Sequence, residues 1–259
     1  MKIKILNQND REIEFLLEGS NPQFANALRR IMMSEVPVLA IKRADITVND
    51  SVLYNEILAH RMGMIPLVFN PKSFHFTDKH EEGKTCQDCE VAFALSKKGP
   101  CVVYTKDMKS SNPDVKPLYD DMPIVELFEG QELKLEAYAS LGMGKDHARH
   151  QGAIAAYKYA PSVKVDGLKN ADECVKICPK KALETDGKKA SVSNACDLCG
   201  ECVKTADPKG SLKIEGDPTS FIFSIESICG IEPSDLVMQA ADILKKKVKD
   251  FEKEAKKIK

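Results

Sequence analysis

The sequence has 259 residues, of which 43% are hydrophobic and 30% are charged, and its formal net charge is -1 at pH 7. This composition excludes a disordered chain and predicts two or three globular domains of unequal size. A net charge so close to zero excludes a long-range field that would draw the whole molecule to nucleic acid or to an anionic membrane, and no apolar run approaches the roughly 18 residues of a membrane span.

The N-terminal segment predicts a β-hairpin followed by an amphipathic helix. The opening residues Met-Lys-Ile-Lys-Ile-Leu favour a strand over a signal peptide, so we expect a cytoplasmic protein. Ser20, Asn21 and Pro22 form the cap-and-proline pattern of a helix start. The apolar positions alternate before this point and recur at helical spacing after it: Ile3, Ile5, Ile13, Phe15 and Leu17 in the strands, and Phe24, Leu28, Ile31 and Met32 in the helix.

The middle of the chain changes character twice. Strand-like runs at 91–95 and 133–138 are separated by polar loops such as 109–113, so residues 47–165 are predicted to form a strand-rich insert domain. Residues 166–217 are rich in Cys, Lys and Asp and poor in aliphatic residues, so we expect a bound ligand to replace the missing core there.

The C-terminal segment repeats the order of strand and helix. Residues 221–228 predict an apolar strand, and Pro233 opens a long helix. Because neither terminal stretch of about 40 residues can bury a core alone, residues 1–46 and 218–259 are predicted to form one discontinuous domain. The long helix carries an apolar stripe that either closes the chain's own core or binds a partner: Val237, Ala241, Leu244, Val248 and Phe251.

The cysteines carry the strongest chemical signal. There are nine, and an odd number argues against a secreted disulfide framework and for metal or cluster ligation. Two-residue gaps separate Cys196, Cys199 and Cys202, and bacterial ferredoxins use this run to hold three irons of a cubane cluster. Cys178 is followed by the proline that is typical of the fourth ligand. The spacing therefore predicts one [4Fe-4S] cluster on these four cysteines, with a [3Fe-4S] cluster and a tetrahedral zinc ion as alternatives.

The ligand positions of a second cluster are dismantled. In the two-cluster ferredoxin pattern they fall on Leu168, Ala171 and Ala206, and only Cys174 retains a thiol. Because an electron relay needs successive centres, a single cluster favours a structural or sensing role over electron transport.

Other candidate ligands are weaker. Cys86 and Cys89 form half of a metal knuckle to which Cys101 could add a third thiol, and free thiols in a loop are the alternative. Cys229 follows an apolar strand and is predicted to be a small buried residue.

A histidine pair and a group of lysines suggest metal binding and DNA binding, but the sequence around each argues against that role. His147 and His150 could share a metal on one helical turn, but the Gly- and Ala-rich surroundings offer no third ligand. The lysines at 245–249 and 256–259 are more typical of a solvated helix face than of a DNA-binding surface, so no sequence-specific DNA binding is expected.

Three segments resemble one known family. Segment 26–41 reads NALRRIMMSEVPVLAI and segment 49–67 reads NDSVLYNEILAHRMGMIPL. Both are similar to the α-like motif of RNA polymerase assembly subunits, in its archaeal and eukaryotic version. Segment 142–161 resembles the block that follows in that family, and the ferredoxin-like insert is one that many archaeal D-type members carry.

The resemblance implies an α+β fold in which residues 1–46 and 218–259 form a discontinuous α-like dimerisation domain, 47–165 a strand-rich insert and 166–217 a small ferredoxin-like iron–sulfur domain. It implies pairing with the small subunit L, docking of the large catalytic subunits with B first, and contacts with the small subunits N and P. Catalysis lies in the large subunits, so no catalytic residue is expected in this chain. The alternatives are an electron-transfer subunit of a redox enzyme and a free-standing regulator that senses iron or oxygen.

Overall fold

The computed structural model describes residues 1–76 and 89–258 and divides into two compact units. One unit comprises Met1–Arg29 and Ala155–Ile225, and the other comprises Arg30–Ile154 and Glu226–Lys259. Both contain antiparallel strand pairs and helical residues, which confirms the predicted α+β class. The finer division into three domains stays a prediction. Within the described ranges, no helix is both long and apolar enough to cross a membrane.

The described residues contain fourteen strands and five α-helices. In chain order these are β1 (Lys2–Gln8), β2 (Glu12–Glu18), α1 (Pro22–Ser34), β3 (Val38–Asn49), α2 (Asn55–Gly63), β4 (Leu67–Val68), β5 (Glu90–Lys98), β6 (Cys101–Tyr104), β7 (Lys109–Ser110), β8 (Lys116–Pro117), β9 (Pro123–Leu127), β10 (Glu132–Gly142), β11 (Ala153–Val165), α3 (Ala171–Lys176), β12 (Leu183–Thr185), β13 (Ala190–Val192), α4 (Glu201–Thr205), β14 (Leu212–Ser227) and α5 (Pro233–Lys256).

The first unit is built on a four-stranded sheet in the order β1, β2, β14, β11. The predicted hairpin is confirmed: β1 and β2 pair antiparallel, and the Asn9 side chain accepts hydrogen bonds from the backbone N–H groups of Arg11 and Glu12 to close the turn. The sheet joins the start of the chain to β14 near its end. Strand β11, which contains Pro161, is an edge strand, the position in which a sheet tolerates proline.

Aromatic rings form a continuous row through the core of this sheet. Phe15 of β2 stacks on Phe223 of β14 with ring centroids 5.0 Å apart, and Tyr157 of β11 contacts both Phe223 and Phe221. Tyr159 extends the row, because its ring lies 5.3 Å from that of Phe221. Phe15, Phe221 and Phe223 are each at most 2% exposed, so they supply much of the apolar burial that stabilises the sheet.

Helix α1 begins as its sequence predicts. Pro22 occupies the first turn, and the Asn21 carboxamide oxygen accepts a hydrogen bond from the backbone N–H of Phe24, which caps the helix. Its buried positions repeat at helical spacing: Ala25, Leu28, Ile31 and Met32.

The second unit contains a sheet in the order β3, β10, β5, β7 and two smaller pairs, β4 with β8 and β6 with β9. The predicted strand-like runs lie in β5 and β10, which pair antiparallel with Leu135 opposite Leu95. Arg61 of α2 donates from Nε to the carbonyl oxygen of Ile124 at 2.9 Å and from Nη2 to that of Pro123 at 2.7 Å, which fixes this helix against β9.

Helix α5 buries only its beginning. Pro233 opens it as predicted, and its buried residues are Pro233, Leu236 and Ala240. Near its C-terminal end, Val248 is 59% exposed and Phe251 is 75% exposed. The apolar stripe predicted from the sequence therefore does not close the chain's own core over this part of the helix.

Candidate cysteine site

The four cysteines predicted as ligands line one cavity in the first unit. Cys178 follows helix α3, Cys196 and Cys199 lie in the loop after β13, and Cys202 lies in α4. Cys196 and Cys202 are buried, Cys178 is half-buried, and Cys199 is exposed. Gly200, two charged residues and five apolar residues form the rest of the cavity wall: Lys180, Asp197, Ala182, Leu183, Val192, Leu198 and Ile214.

The loop between these cysteines uses left-handed backbone conformations. Leu198 has φ 61° and Gly200 has φ 80°, on either side of Cys199. Glycine adopts such values without strain, whereas leucine does so rarely. Two reversals so close together bend the chain between Cys196 and Cys202, so that all three thiols of the run reach the same cavity.

Backbone donors polarise one of the thiols. The Ala182 N–H donates to Sγ of Cys178 at 3.3 Å. Burial opposes ionisation of Cys178, but hydrogen bonds from the backbone N–H groups of residues 180–183 outweigh it and lower the pKa of this thiol. Burial is the main cause that raises the pKa of Cys202, and the nearby thiols of Cys178, Cys196 and Cys199 raise it further.

The donor set fits an iron–sulfur cluster. Four thiols face one cavity, and a backbone N–H already points at one sulfur, as in the hydrogen bonds that tune cluster potentials. Of the His, Cys, Asp and Glu side chains in 1–76 and 89–258, no three or more form a group placed to hold a single metal ion. Whether the four cysteines are ligands stays a prediction.

The positions predicted for the second ligand set lie in a small hydrophobic core. Cys174 is fully buried there, and burial raises its pKa. It does not line the cavity of the other four thiols. The side chains at all four positions belong to one apolar cluster, which also contains Cys202 of the predicted ligand set and two leucines: Leu168, Ala171, Cys174, Ala206, Cys202, Leu183 and Leu212.

Lysine 158 is a contact residue that the cysteine spacing did not predict. Its Nζ, on β11, donates to the carbonyl oxygen of Asn194 at 2.6 Å and to that of Cys196 at 3.2 Å. These acceptors lie at the start of the cysteine run. No periodicity or spacing in the sequence links β11 to this loop, so only the folded arrangement reveals the contact.

The other cysteines that the structure describes do not line this cavity. Cys86 lies outside the described residues, and Sγ of Cys89 is 3.1 Å from Nε2 of His75. The Cys101 thiol donates to the carbonyl oxygen of Lys98 at 3.4 Å. Cys229 is 2% exposed, which confirms that it is a small buried residue.

The two histidines have separate partners. The His150 ring is buried and donates from Nδ1 to the carbonyl oxygen of Val38 at 2.9 Å. Burial is the largest cause that lowers the pKa of His150, and the nearby Arg149 adds to it. His147 instead accepts a hydrogen bond at Nδ1 from the backbone N–H of Arg149.

Comparison with known proteins gives one consistent family. Residues 44–168 match the family described as "RNA polymerase Rpb3/RpoA insert domain". The chain is 36% identical to "DNA-directed RNA polymerase subunit Rpo3" of Methanosphaera stadtmanae, covering 95% of this chain and 96% of the relative. It is 38% identical to the Rpo3 subunit of Methanothermobacter thermautotrophicus, covering 95% and 96%, and 37% identical to that of Pyrococcus horikoshii, covering 100% and 99%.

These matches extend over nearly the whole length of the chain and of each relative. They confirm the family that the segments 26–41, 49–67 and 142–161 predicted. The chain therefore belongs to the Rpo3 family of archaeal DNA-directed RNA polymerase subunits, the D-type subunits, in which it is a non-catalytic assembly subunit.

Proposed function

We propose that this chain pairs with the small polymerase subunit L through the exposed apolar face of α5, and that the pair is the platform on which the large catalytic subunits dock, B first, with N and P alongside. The observation that carries the proposal is the 75% exposure of Phe251, together with Val248, on a helix whose first turns are buried. Large apolar side chains at helical spacing in water favour a partner surface.

The chemistry of that face indicates the kind of partner. Val248 and Phe251 lie one turn apart, so they project from the same side of α5. Charged pairs flank them, including Lys253 with Asp250 and Lys256 with Glu252. An apolar centre with a charged rim suits an amphipathic helical surface on the partner.

Paired substitutions test this interface. Phe251→Ser and Val248→Ser are expected to leave the free energy of unfolding of the isolated chain within about 0.5 kcal/mol, because both side chains are exposed. Co-purification with tagged subunit L is expected to weaken by roughly tenfold or more, since buried aromatic residues dominate interface energies. Lys249→Ser, an exposed change on the same helix, is the control, and equal L binding by all three variants would refute the interface.

The chain is further proposed to hold one iron–sulfur cluster on Cys178, Cys196, Cys199 and Cys202, with a structural or sensing role. The cavity that all four cysteines line supports this. When bound, the cluster would supply covalent cross-links between the turn after α3 and the 196–202 loop. The apolar core at the second ligand set disfavours the alternative of an electron-relay subunit, because a relay needs a second centre.

Metal analysis tests the cluster. The full chain, co-expressed with subunit L and purified without oxygen, is expected to contain about four irons and four sulfides per chain. Stoichiometric zinc without sulfide would refute the cluster. Cys199→Ala is expected to abolish the four-iron cluster and to make residues 166–217 more sensitive to protease. A variant without absorbance but with unchanged protease resistance and L affinity would exclude the structural role.

A further inference from the structure

A basic side chain from the sheet contacts the cysteine loop. Lys158 is half-buried on β11, and its Nζ donates to the carbonyl oxygens of Asn194 and Cys196 at 2.6 and 3.2 Å. Among the described residues Lys158 forms no ion pair with a carboxylate. Its positive charge is therefore directed at the backbone of the loop rather than balanced by an acidic partner.

The loop that carries Cys196 and Cys199 contacts the sheet at a second point. A Cβ placed on Gly216 of β14 would lie 2.6 Å from Cβ of Tyr159 and 3.1 Å from Cδ1 of Leu198. Only a glycine leaves room for the two side chains to approach the strand so closely. Leu198 lies between Cys196 and Cys199, so the loop is fixed to the sheet by a polar contact at one end and an apolar contact at its centre.

We propose that Lys158 is a positioning residue for the cluster: it fixes the turn at Cys196 through two charge-assisted hydrogen bonds and places a positive charge beside the cluster. This inference rests on the proposed iron–sulfur site. Hydrogen bonds from a charged donor are stronger than neutral ones, so they hold a loop that has few backbone bonds of its own. A nearby cation stabilises the reduced cluster, which carries one more negative charge than the oxidised cluster.

Three variants separate this role from a general effect on folding. Lys158→Met removes the donor and the charge, Lys158→Arg keeps both, and Lys164→Met changes an exposed lysine further along the same strand. The full chain is purified without oxygen with its cluster, and two quantities are measured: the rate of iron loss to a chelator, and the midpoint reduction potential from a dye-mediated redox titration.

Lys158→Met is expected to lose iron about tenfold faster than the unmodified chain and to have a more negative midpoint potential. Lys158→Arg is expected to restore both values, and Lys164→Met to match the unmodified chain. An unchanged rate and potential in Lys158→Met would overturn the proposal.

Two further outcomes are decisive. If Lys158→Met does not fold, Lys158→Gln carries the test, because it keeps a donor without the charge, and an unchanged potential in that variant overturns the electrostatic role. If the unmodified chain contains no iron or sulfide, the cluster itself is wrong, and the assignment of Lys158 fails with it.

Discussion

Cys174 and Cys178 offer the sharpest test of the cysteine site, because they lie close in sequence but in opposite environments. Cys174 is fully buried in the apolar cluster, whereas Cys178 lines the cavity and accepts a backbone hydrogen bond. We expect Cys174→Ala to retain about four irons per chain and Cys178→Ala to lose the four-iron cluster, because only Cys178 belongs to the ligand set.

The stability effects are expected to differ as well. Cys174→Ala removes one sulfur from a site with no exposed surface, which is comparable to deleting one buried methylene and leaving a small cavity. The cost is about 1 kcal/mol, or about 0.5 M in the urea midpoint for a slope near 2 kcal/mol/M. The loss is expected with and without iron, because Cys174 does not line the cavity of the four predicted ligands.

Iron and sulfide analysis of anaerobically purified protein, together with urea unfolding followed by circular dichroism, measures both effects. The reasoning would be refuted if Cys174→Ala lost as much iron as Cys178→Ala. It would also be refuted if Cys178→Ala retained four irons with the absorbance of the unmodified chain.

Three further predictions concern the scaffold. The pKa of His150 lies below its usual 6.5 in the folded chain, so the unfolded chain takes up the proton first. The free energy of unfolding is therefore expected to fall as the pH decreases below about 6.5. In urea titrations, His150→Gln is expected to reduce this pH dependence, and an equal pH dependence in the variant and the unmodified chain would contradict the prediction. Gly230→Ala places a Cβ 2.0 Å from the carbonyl oxygen of Leu67, so it is expected to destabilise the chain by about 1–3 kcal/mol. An unchanged thermal midpoint would contradict this, because it would show that the backbone shifts without cost. Phe223→Ala is expected to lower the free energy of unfolding by about 3–5 kcal/mol, because its ring is fully buried. Phe128→Ala, which changes a residue that is 52% exposed, is the control. Equal thermal midpoints for the two variants would exclude the aromatic row as a stabilising core.

Local signals in the sequence predicted the terminal elements well. The hairpin follows from alternation around a polar turn, and α1 and α5 begin at prolines because proline fits the first turn of a helix. Cys196, Cys199 and Cys202 line one cavity, as expected from the two-residue gaps that keep them on one short segment. In each case the signal and the structure it specifies lie within a few residues of each other.

Features that depend on tertiary packing were not predictable in this way. The sequence left open whether the stripe on α5 closes the chain's own core or binds a partner, because periodicity cannot tell which side of a helix the chain itself covers. The stripe comprises Val237, Ala241, Leu244, Val248 and Phe251, whereas the residues that the chain buries are Pro233, Leu236 and Ala240. The contact of Lys158 with Cys196 joins a strand to a distant loop, and an isolated lysine carries no signal of its acceptor.

The segment that carries the four cysteines is inserted between β11 and β14, and the geometry of this insertion determines how the segment could be replaced. The two strands are neighbours, and the backbone N–H of Asp166, directly after β11, donates to the carbonyl oxygen of Ser211, directly before β14, at 2.8 Å. Residues 167–210 thus leave and re-enter the sheet at neighbouring backbone positions, at the ends of two adjacent strands. Replacing them with a tight two-residue turn is therefore expected to close the ribbon between β11 and β14.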